Sequence, residues 1–253
     1  MMNWNQLISA KRFGMEEFHE ERQENRSEFQ RDYDRLIFSA PFRRLQNKTQ
    51  VFPLPGSVFV HNRLTHSLEV ASVGRSLGDD VAKALLERHP ELQDSFLPEI
   101  GSIVSAACLA HDLGNPPFGH SGEKAISTFF SEGKGVRLKE KQPNGEQLSP
   151  MEWEDLIHFE GNANAFRILT HQFEGRRKGG FVLTYTTLAS IVKYPFSSSL
   201  AGTKSKFGFF VSEEESFRKI ATELGLILLN EHPLKYARHP LVYLVEAADD
   251  ICY

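Results

Sequence analysis

The chain has 253 residues, of which 40% are apolar, so it can bury a sizeable core as one large domain or two small ones. Its formal net charge is −4, with 29 lysines and arginines against 33 acidic residues, which excludes a global basic field of the kind that binds nucleic acid along its whole length. Two cysteines without a CxxC pair, no apolar leader and no apolar run of about 18 residues predict a cytoplasmic protein that does not cross a membrane.

Two segments are predicted to lie outside the packed core. Residues 1–35 become rich in charge and poor in aliphatic side chains from Lys11 onward, which is typical of an extended or solvated helical arm, so we interpret them as an N-terminal charged arm. Residues 131–149 combine glycine and proline with many charges, which predicts a flexible insertion. Residues 36–253 are left as the core.

Apolar residues recur at helical spacing in the core. One long pattern opens near His61 and should end at His89, because Pro90 stops it. Only Phe181–Tyr185 resembles a strand, so the fold class should be all-α. Further helices are predicted over 103–110, 122–130, 165–169, 213–229 and 240–253, and in a segment ending near Pro195.

The last predicted helix is interrupted by the end of the sequence. The chain stops at Tyr253 with neither a C-cap glycine nor a polar tail, which predicts that it is truncated at its C-terminus.

Histidines and carboxylates lie on or beside the apolar helices. Singly, each is typical of a hydrogen-bonded core residue. Together, imidazoles and carboxylates from separate helices form a mixed nitrogen and oxygen donor set, which suits Mg²⁺ or a divalent transition metal with positions left for water. A carboxylate after the apolar run 103–110 would be costly to bury without a cation. The residues concerned are His66, His111, Asp112, His120, Glu123, and Asp249 or Asp250.

The order of these residues resembles the H…HD…D signature of the HD-domain phosphohydrolases. Longer strings are similar to bacterial deoxyguanosine triphosphate triphosphohydrolases, and they cover nearly the whole chain: 43–51, 62–70, 111–123, 158–163 and 246–253. The resemblance implies an HD-domain helical bundle for the core 36–253, incomplete at its C-terminal end. It also implies metal-dependent hydrolysis of dGTP, or of dNTPs, to deoxynucleoside and inorganic triphosphate.

The resemblance implies four ligands of a divalent metal ion: His66, His111, Asp112 and Asp249. Mn²⁺ or Mg²⁺ is the expected ion, with Fe, Co, Ni or Zn as alternatives. Asp249 is preferred to Asp250 because Tyr253, which matches a substrate-contacting tyrosine of the family, lies four residues later and shares its helix face.

His120 and Glu123 match the catalytic pair of the family. An imidazole can transfer a proton near neutral pH, and a carboxylate three residues later on the same helix can orient it. We therefore expect His120 to act as the acid or base and Glu123 to hold it.

The resemblance also implies contacts with the nucleotide. Arg63, one helical turn before His66, suits the triphosphate as a bidentate donor, and Gln50 matches a residue against the sugar 3′-hydroxyl. His158 matches a position near the phosphates, and the alternative interpretation is a polar residue at a helix start beside Glu160. The complete set is Gln50, Arg63, His158, Lys193, Tyr194 and Tyr253.

Other functions stay open from the sequence. The chain could be another HD phosphohydrolase acting on a 5′-nucleotide or a cyclic dinucleotide, or a non-catalytic regulator that senses dNTPs or binds single-stranded nucleic acid. The presence of His120 and Glu123 disfavours the regulator, because a pure binder needs no acid–base pair. A nucleotide effector, single-stranded nucleic acid and a homo-oligomer, a hexamer by resemblance, are the other predicted partners.

Overall fold

The computed structural model describes residues 2–17, 26–48, 62–143, 145–175 and 178–253. In these residues helices dominate, and the predicted all-α class is confirmed. The helices are α1 (Trp4–Leu7), α2 (Glu28–Ile37), α3 (Ala40–Arg44), α4 (Arg63–Arg88), α5 (Ile100–Ala110), α6 (His120–Ser131), α7 (Pro150–Ile157), α8 (Gly161–Thr170), α9 (Tyr185–Ile191), α10 (Glu214–Glu223) and α11 (Val242–Cys252); the strands are β1 (Leu228–Asn230) and β2 (Lys235–Tyr236).

Helix α5 is the centre of the molecule, and all its residues are buried. An unbroken apolar run cannot leave a polar face for water, so the helix is surrounded by α2, α4, α9 and α11. Glycine permits the closest approach: a Cβ atom on Gly78 of α4 would lie 2.7 Å from Gly101 Cα of α5. This contact sets the position of α4 against the helix that leads to His111.

Helix α4 begins where the sequence predicted, at a polar cap. Asn62 Oδ1 accepts a hydrogen bond from Thr65 N at 2.9 Å, which satisfies one of the free amide groups of the first turn. His66 is therefore held in the first turn of a long, well-anchored helix.

The charged N-terminal segment packs on the core more tightly than a solvated arm would. Phe29 and Leu36 of α2 are buried, because the helix has one apolar face. The guanidinium of Arg12 donates to Asp32 Oδ1 at 2.8 Å and to the Val182 carbonyl at 2.7 Å. Thr184 donates to the other oxygen of Asp32 from both its amide and its hydroxyl group. The domain boundary between residues 35 and 36 stays a prediction.

The prediction of one helix over 213–229 is wrong at its C-terminal end. Helix α10 stops at Glu223, because Gly225 adopts a left-handed conformation with φ +64°. Leu228 then pairs with Tyr236 in a small antiparallel hairpin. At the strand-like run that begins at Phe181, the described part of the chain shows an isolated bridge from Thr184 to Arg12 rather than a strand.

Within the segment 131–149, the described residues include a short 3₁₀ helix, Lys134–Lys139, and mostly exposed side chains. Its flexibility stays a prediction. None of the helices in the described ranges is both long and apolar enough to span a bilayer.

Candidate metal and acid–base site

The predicted metal ligands and the predicted acid–base pair line one cavity of about 460 Å³. Its wall is made by the start of α4, the turn after α5, the first turns of α6 and α8, the segment after α9, and α11. The polar side chains in this wall belong to Arg63, His66, His111, Asp112, Asn115, His120, Ser121, Glu123, Glu160, Asn162, Ser190, Lys193, Tyr194, Lys206, Glu246, Asp249 and Tyr253.

Three of the predicted metal ligands form a compact cluster. One donor atom from each of His66, His111 and Asp112 lies within 4.8 Å of the other two. Asp249 of α11 completes the group, because its Oδ1 atom lies 2.9 Å from His66 Nε2 and 3.5 Å from His111 Nε2. The structure thus brings together all four residues that the sequence singled out.

The orientation of His111 fits a metal ion. Its Nδ1 atom lies 2.6 Å from the Cys108 carbonyl oxygen, so Nδ1–H donates there and Nε2 faces the cluster. Histidine ligands of metals are commonly fixed in this way through the other ring nitrogen. Nε2 is buried and has no hydrogen-bond partner among the described residues, and the nearest oxygens of Asp249 and Asp112 are 3.5 and 3.6 Å away. This unpartnered nitrogen is free to act as a ligand of a divalent cation.

The charges of the cluster favour a cation in the same place. Burial lowers the pKa of His111, but the carboxylates of Asp112 and Asp249 raise it to about 9. Burial raises the pKa of Asp249, yet the interactions with His111 and His66 hold it well below its usual range. Positive charge between these groups is therefore stabilised, whether a proton or a metal ion carries it.

Asp112 is oriented by two neighbours. Its Oδ2 atom accepts a hydrogen bond from Arg63 Nη1 at 2.6 Å, and its Oδ1 atom accepts one from Asn115 Nδ2 at 2.5 Å. Lys48 donates to the carbonyl oxygen of Asn115 at 2.7 Å, and burial followed by the charge of Arg63 lowers the pKa of Lys48. Arg63 lies in the cavity wall and donates one of its hydrogen bonds to Asp112. Its contact with a substrate stays a prediction.

His120 and Glu123 form the pair that the sequence indicated. His120 Nδ1 lies 2.7 Å from Glu123 Oε2, and the His120 side chain is 85% exposed whereas that of Glu123 is 11% exposed. The other oxygen, Glu123 Oε1, accepts a hydrogen bond from Gly161 N at 2.8 Å. A larger residue at Gly161 would displace these side chains, because a Cβ atom would stand 2.9 Å from Glu123 Oε1 and 2.1 Å from Asn115 Oδ1. The Gly161 amide thus holds the oxygen of Glu123 that His120 does not contact, and the His120 imidazole lines the cavity.

Sequence reasoning missed Lys206. Its ammonium group lies 2.8 Å from Glu160 Oε1 and 3.6 Å from Glu123 Oε2, and its side chain is 24% exposed at the cavity wall. Burial lowers the pKa of Lys206, but the carboxylates of Glu160 and Glu123 raise it more, so the group stays cationic. The segment 197–206 is irregular in sequence and carries no periodic signal, so nothing local indicated this position.

Residues 63–178 match the family model of the HD domain. The chain therefore contains an HD domain over these residues. Its full length is 46% identical to a deoxyguanosinetriphosphate triphosphohydrolase-like protein of Synechocystis and 47% identical to one of Pseudomonas aeruginosa, of which it covers 58% and 55%. It is 36% identical to the deoxyguanosinetriphosphate triphosphohydrolase of Yersinia enterocolitica and covers 53% of that protein. The chain therefore spans about half the length of these relatives.

The matched HD domain contains three of the four clustered ligands and the His120–Glu123 pair, while Asp249 and Lys206 come from later segments. HD domains bind divalent metals, and the cluster of His66, His111 and Asp112 has the donors to hold one.

The predicted substrate contacts are distributed unevenly. Lys193, Tyr194 and Tyr253 lie in the cavity wall, and Lys193 pairs with Glu246 at 3.0 Å. His158 is not in that wall: it contacts Ser205 Oγ at 3.1 Å and Glu154 at 3.3 Å. Gln50 lies outside the described residues. Asp250, the rejected alternative to Asp249, is exposed and does not line the cavity.

Proposed function

We propose that this protein hydrolyses dGTP, or a related deoxynucleoside triphosphate, to the deoxynucleoside and inorganic triphosphate with the help of a divalent metal ion. The observation that carries the proposal is the meeting of a metal-binding cluster and a His–Glu pair on the wall of a single cavity. The names of the similar proteins from Synechocystis, Pseudomonas and Yersinia support the choice of substrate.

His66, His111, Asp112 and Asp249 would hold the ion, and Mn²⁺ or Mg²⁺ suits this mixed donor set. When bound, such an ion polarises a phosphoryl oxygen and lowers the pKa of water. Everything else falls to the side chains of the cavity wall. Lys193 and Lys206 are cations that can face the phosphates, and Tyr194 and Tyr253 offer ring and hydroxyl contacts.

His120 is placed to transfer the proton of the reaction. Because Nδ1 is engaged by Glu123, the other ring nitrogen, Nε2, is the one that can reach a water molecule or the departing 5′ oxygen. The Glu123 carboxylate stabilises the imidazolium that forms when the ring takes up a proton. Gly161 N and Lys206 keep the carboxylate in place.

Product analysis tests the proposal. The protein is incubated with dGTP and Mn²⁺ or Mg²⁺, and the products are separated by anion-exchange chromatography. We expect deoxyguanosine and inorganic triphosphate in equal amounts. Release of orthophosphate or pyrophosphate would overturn the proposal, and turnover of a 5′-nucleotide or a cyclic dinucleotide instead of dGTP would favour the alternative phosphohydrolase.

His120→Ala separates catalysis from binding in the same assay. Loss of a general acid or base costs about 10²–10⁴-fold in rate, while nucleotide binding should persist because His120 is not among the metal-cluster residues. Unchanged turnover in this variant would remove His120 from the mechanism. If the parent protein binds dGTP but does not hydrolyse it, the result would favour the non-catalytic dNTP sensor.

The remaining partners are proposals at the same level. They are a homo-oligomer, a hexamer by resemblance, and a nucleotide effector or single-stranded nucleic acid. A location in the cytoplasm is also proposed, and it rests on the composition of the sequence.

A further inference from the structure

Glu160 is a buried carboxylate with more partners than its place in the chain requires. It is 1% exposed and precedes the first residue of α8. Its Oε2 atom accepts hydrogen bonds from Asn162 N at 2.5 Å and Ala163 N at 3.3 Å, which caps the helix. Capping alone does not explain a glutamate, because serine, threonine, aspartate and asparagine are the preferred residues at this position.

The second oxygen of Glu160 faces the cavity side. Oε1 accepts a hydrogen bond from Lys206 Nζ at 2.8 Å and one from Asn162 Nδ2 at 2.7 Å. Both donors belong to side chains of the cavity wall. The two oxygens of this carboxylate therefore have different roles: Oε2 caps α8, and Oε1 holds side chains of the cavity wall.

The geometry points to Glu160 as a positioning residue that holds the Lys206 ammonium toward the phosphates of the substrate, beside Glu123. This inference rests on the proposed function for the identity of the substrate. The binding energy of a flexible lysine is reduced by the entropy lost when its side chain is ordered. Glu160 orders Lys206 before the substrate arrives, so that less of that cost falls on binding.

Lys206 needs this support because a second carboxylate is close. Its ammonium group lies 3.6 Å from Glu123 Oε2, the atom that accepts the hydrogen bond from His120. Glu160 is the nearer of the two carboxylates, at 2.8 Å against 3.6 Å, so its removal leaves Glu123 as the only carboxylate paired with Lys206 among the described residues. The lysine would then move toward the acid–base pair and away from its position in the wall.

Glu160→Gln tests the role selectively. A glutamine can keep its oxygen on Asn162 N and Ala163 N, so the helix cap survives. Its NH₂ group then replaces Oε1 and meets two donors, Lys206 Nζ and Asn162 Nδ2, with which it cannot form the original hydrogen bonds. The variant therefore removes the cavity-side function while it retains most of the structural one.

The experiment measures binding of inorganic triphosphate, used alone as the probe, by isothermal titration calorimetry in the presence of Mn²⁺. The proteins compared are the parent, Glu160→Gln, Lys206→Gln and the double variant. We expect each single variant to weaken binding by about 10-fold, as loss of a hydrogen bond to a charged group does. Because Glu160 acts through Lys206, the double variant should bind no more than about 2-fold more weakly than Lys206→Gln.

Glu213→Gln is the matched control. Glu213 is also a buried glutamate, 3% exposed, and it pairs with Arg167, but it does not line the cavity. This variant should lower the unfolding temperature without changing triphosphate binding.

Three outcomes would overturn the role of Glu160. The first is that the two losses of triphosphate affinity multiply in the double variant, and the second is that Glu160→Gln binds triphosphate as tightly as the parent. The third is that the parent binds no triphosphate. The proposed function is decided separately, by the products released from dGTP. A protein that binds triphosphate with the expected pattern but releases no triphosphate from dGTP would overturn the proposed function and leave the role of Glu160 supported.

Discussion

His66 Nε2 lies 2.9 Å from Asp249 Oδ1, although 183 residues separate the two side chains in the sequence. Helix α4 supplies one and helix α11 the other, and the two helices pack against each other and against α5. The cluster that includes His111 and Asp112 is therefore built from α4, α11 and the turn that follows α5. Any change that moves one of these helices should change the affinity for a metal ion.

Asp249→Asn should weaken Mn²⁺ binding by at least about 100-fold, because even partners outside the ligand set commonly change metal affinity by 10–100-fold. Isothermal titration calorimetry measures the affinity. Asp250→Asn is the control, since Asp250 is the next residue but is exposed and outside the cavity wall. A loss of binding in the Asp250 variant, with normal binding in the Asp249 variant, would reverse the assignment.

Gly161→Ala should lower both stability and turnover. Its Cβ atom would stand 2.1 Å from Asn115 Oδ1 and would push Glu123 away from Gly161 N. We expect a loss of about 1–3 kcal/mol in the free energy of unfolding, as for other overpacked sites, together with a lower kcat for dGTP. Urea denaturation and steady-state kinetics measure the two effects.

Gly175→Ala is the control for Gly161→Ala. Gly175 has φ +73° and no atom within 4 Å of an added Cβ, so the cost is that of the left-handed backbone alone, about 1–2 kcal/mol. Its kcat should equal that of the parent. An equal fall in kcat in both variants would show that lost stability, and not the position of Glu123, lowers turnover.

His239 should make stability depend on pH in the mildly acidic range. The His239 residue is 1% exposed. Its Nε2 atom lies 3.1 Å from the Leu7 carbonyl oxygen, and its Nδ1 atom accepts a hydrogen bond from Leu241 N. Burial lowers its pKa from 6.5 to about 4, so between these values the unfolded chain binds a proton that the folded chain does not. Stability from this group is therefore complete above pH 6.5 and is lost as the pH falls toward 4.

The comparison with His239→Asn isolates this effect. The variant should be less stable at pH 7, but its unfolding free energy should fall less than that of the parent between pH 6.5 and 4, by up to about 3 kcal/mol. Urea denaturation at several pH values gives the difference. Parallel pH profiles for the two proteins would contradict the prediction.

Arg12→Met should destabilise the protein by about 3–5 kcal/mol, because it leaves the fully buried Asp32 without its cationic partner. Arg12 also holds the Val182 carbonyl, so the N-terminal segment should detach from the core near residue 182. The double variant Arg12→Met with Asp32→Asn removes the unpaired charge and should recover part of the loss in urea denaturation. A loss below about 1 kcal/mol in the single variant would mean that the segment contributes little to the core.

The sequence by itself predicted helices α4 and α5 and the residue types that meet in the cluster. The apolar spacing from Leu68 onward and the run before His111 are local periodic signals, and the helices α4 and α5 follow them closely. The choice of Asp249 over Asp250 combined the resemblance, which marked Tyr253 as a substrate-contacting residue, with the helical spacing of four residues, and both Asp249 and Tyr253 line the cavity. The identity of the cluster came from the resemblance, and its geometry agrees.

Only the tertiary structure decided which groups surround that cluster. Lys206 reaches Glu160 and Glu123 from an irregular segment, and Arg63 binds Asp112 across 49 positions of sequence. Such pairs depend on how separate helices and loops pack, and packing leaves no periodic trace in the residues that take part. The same reason explains the buried Asp32 in a segment that the sequence predicts to be a solvated arm: its partner, Arg12, lies 20 positions earlier, and only packing against the core brings the two together.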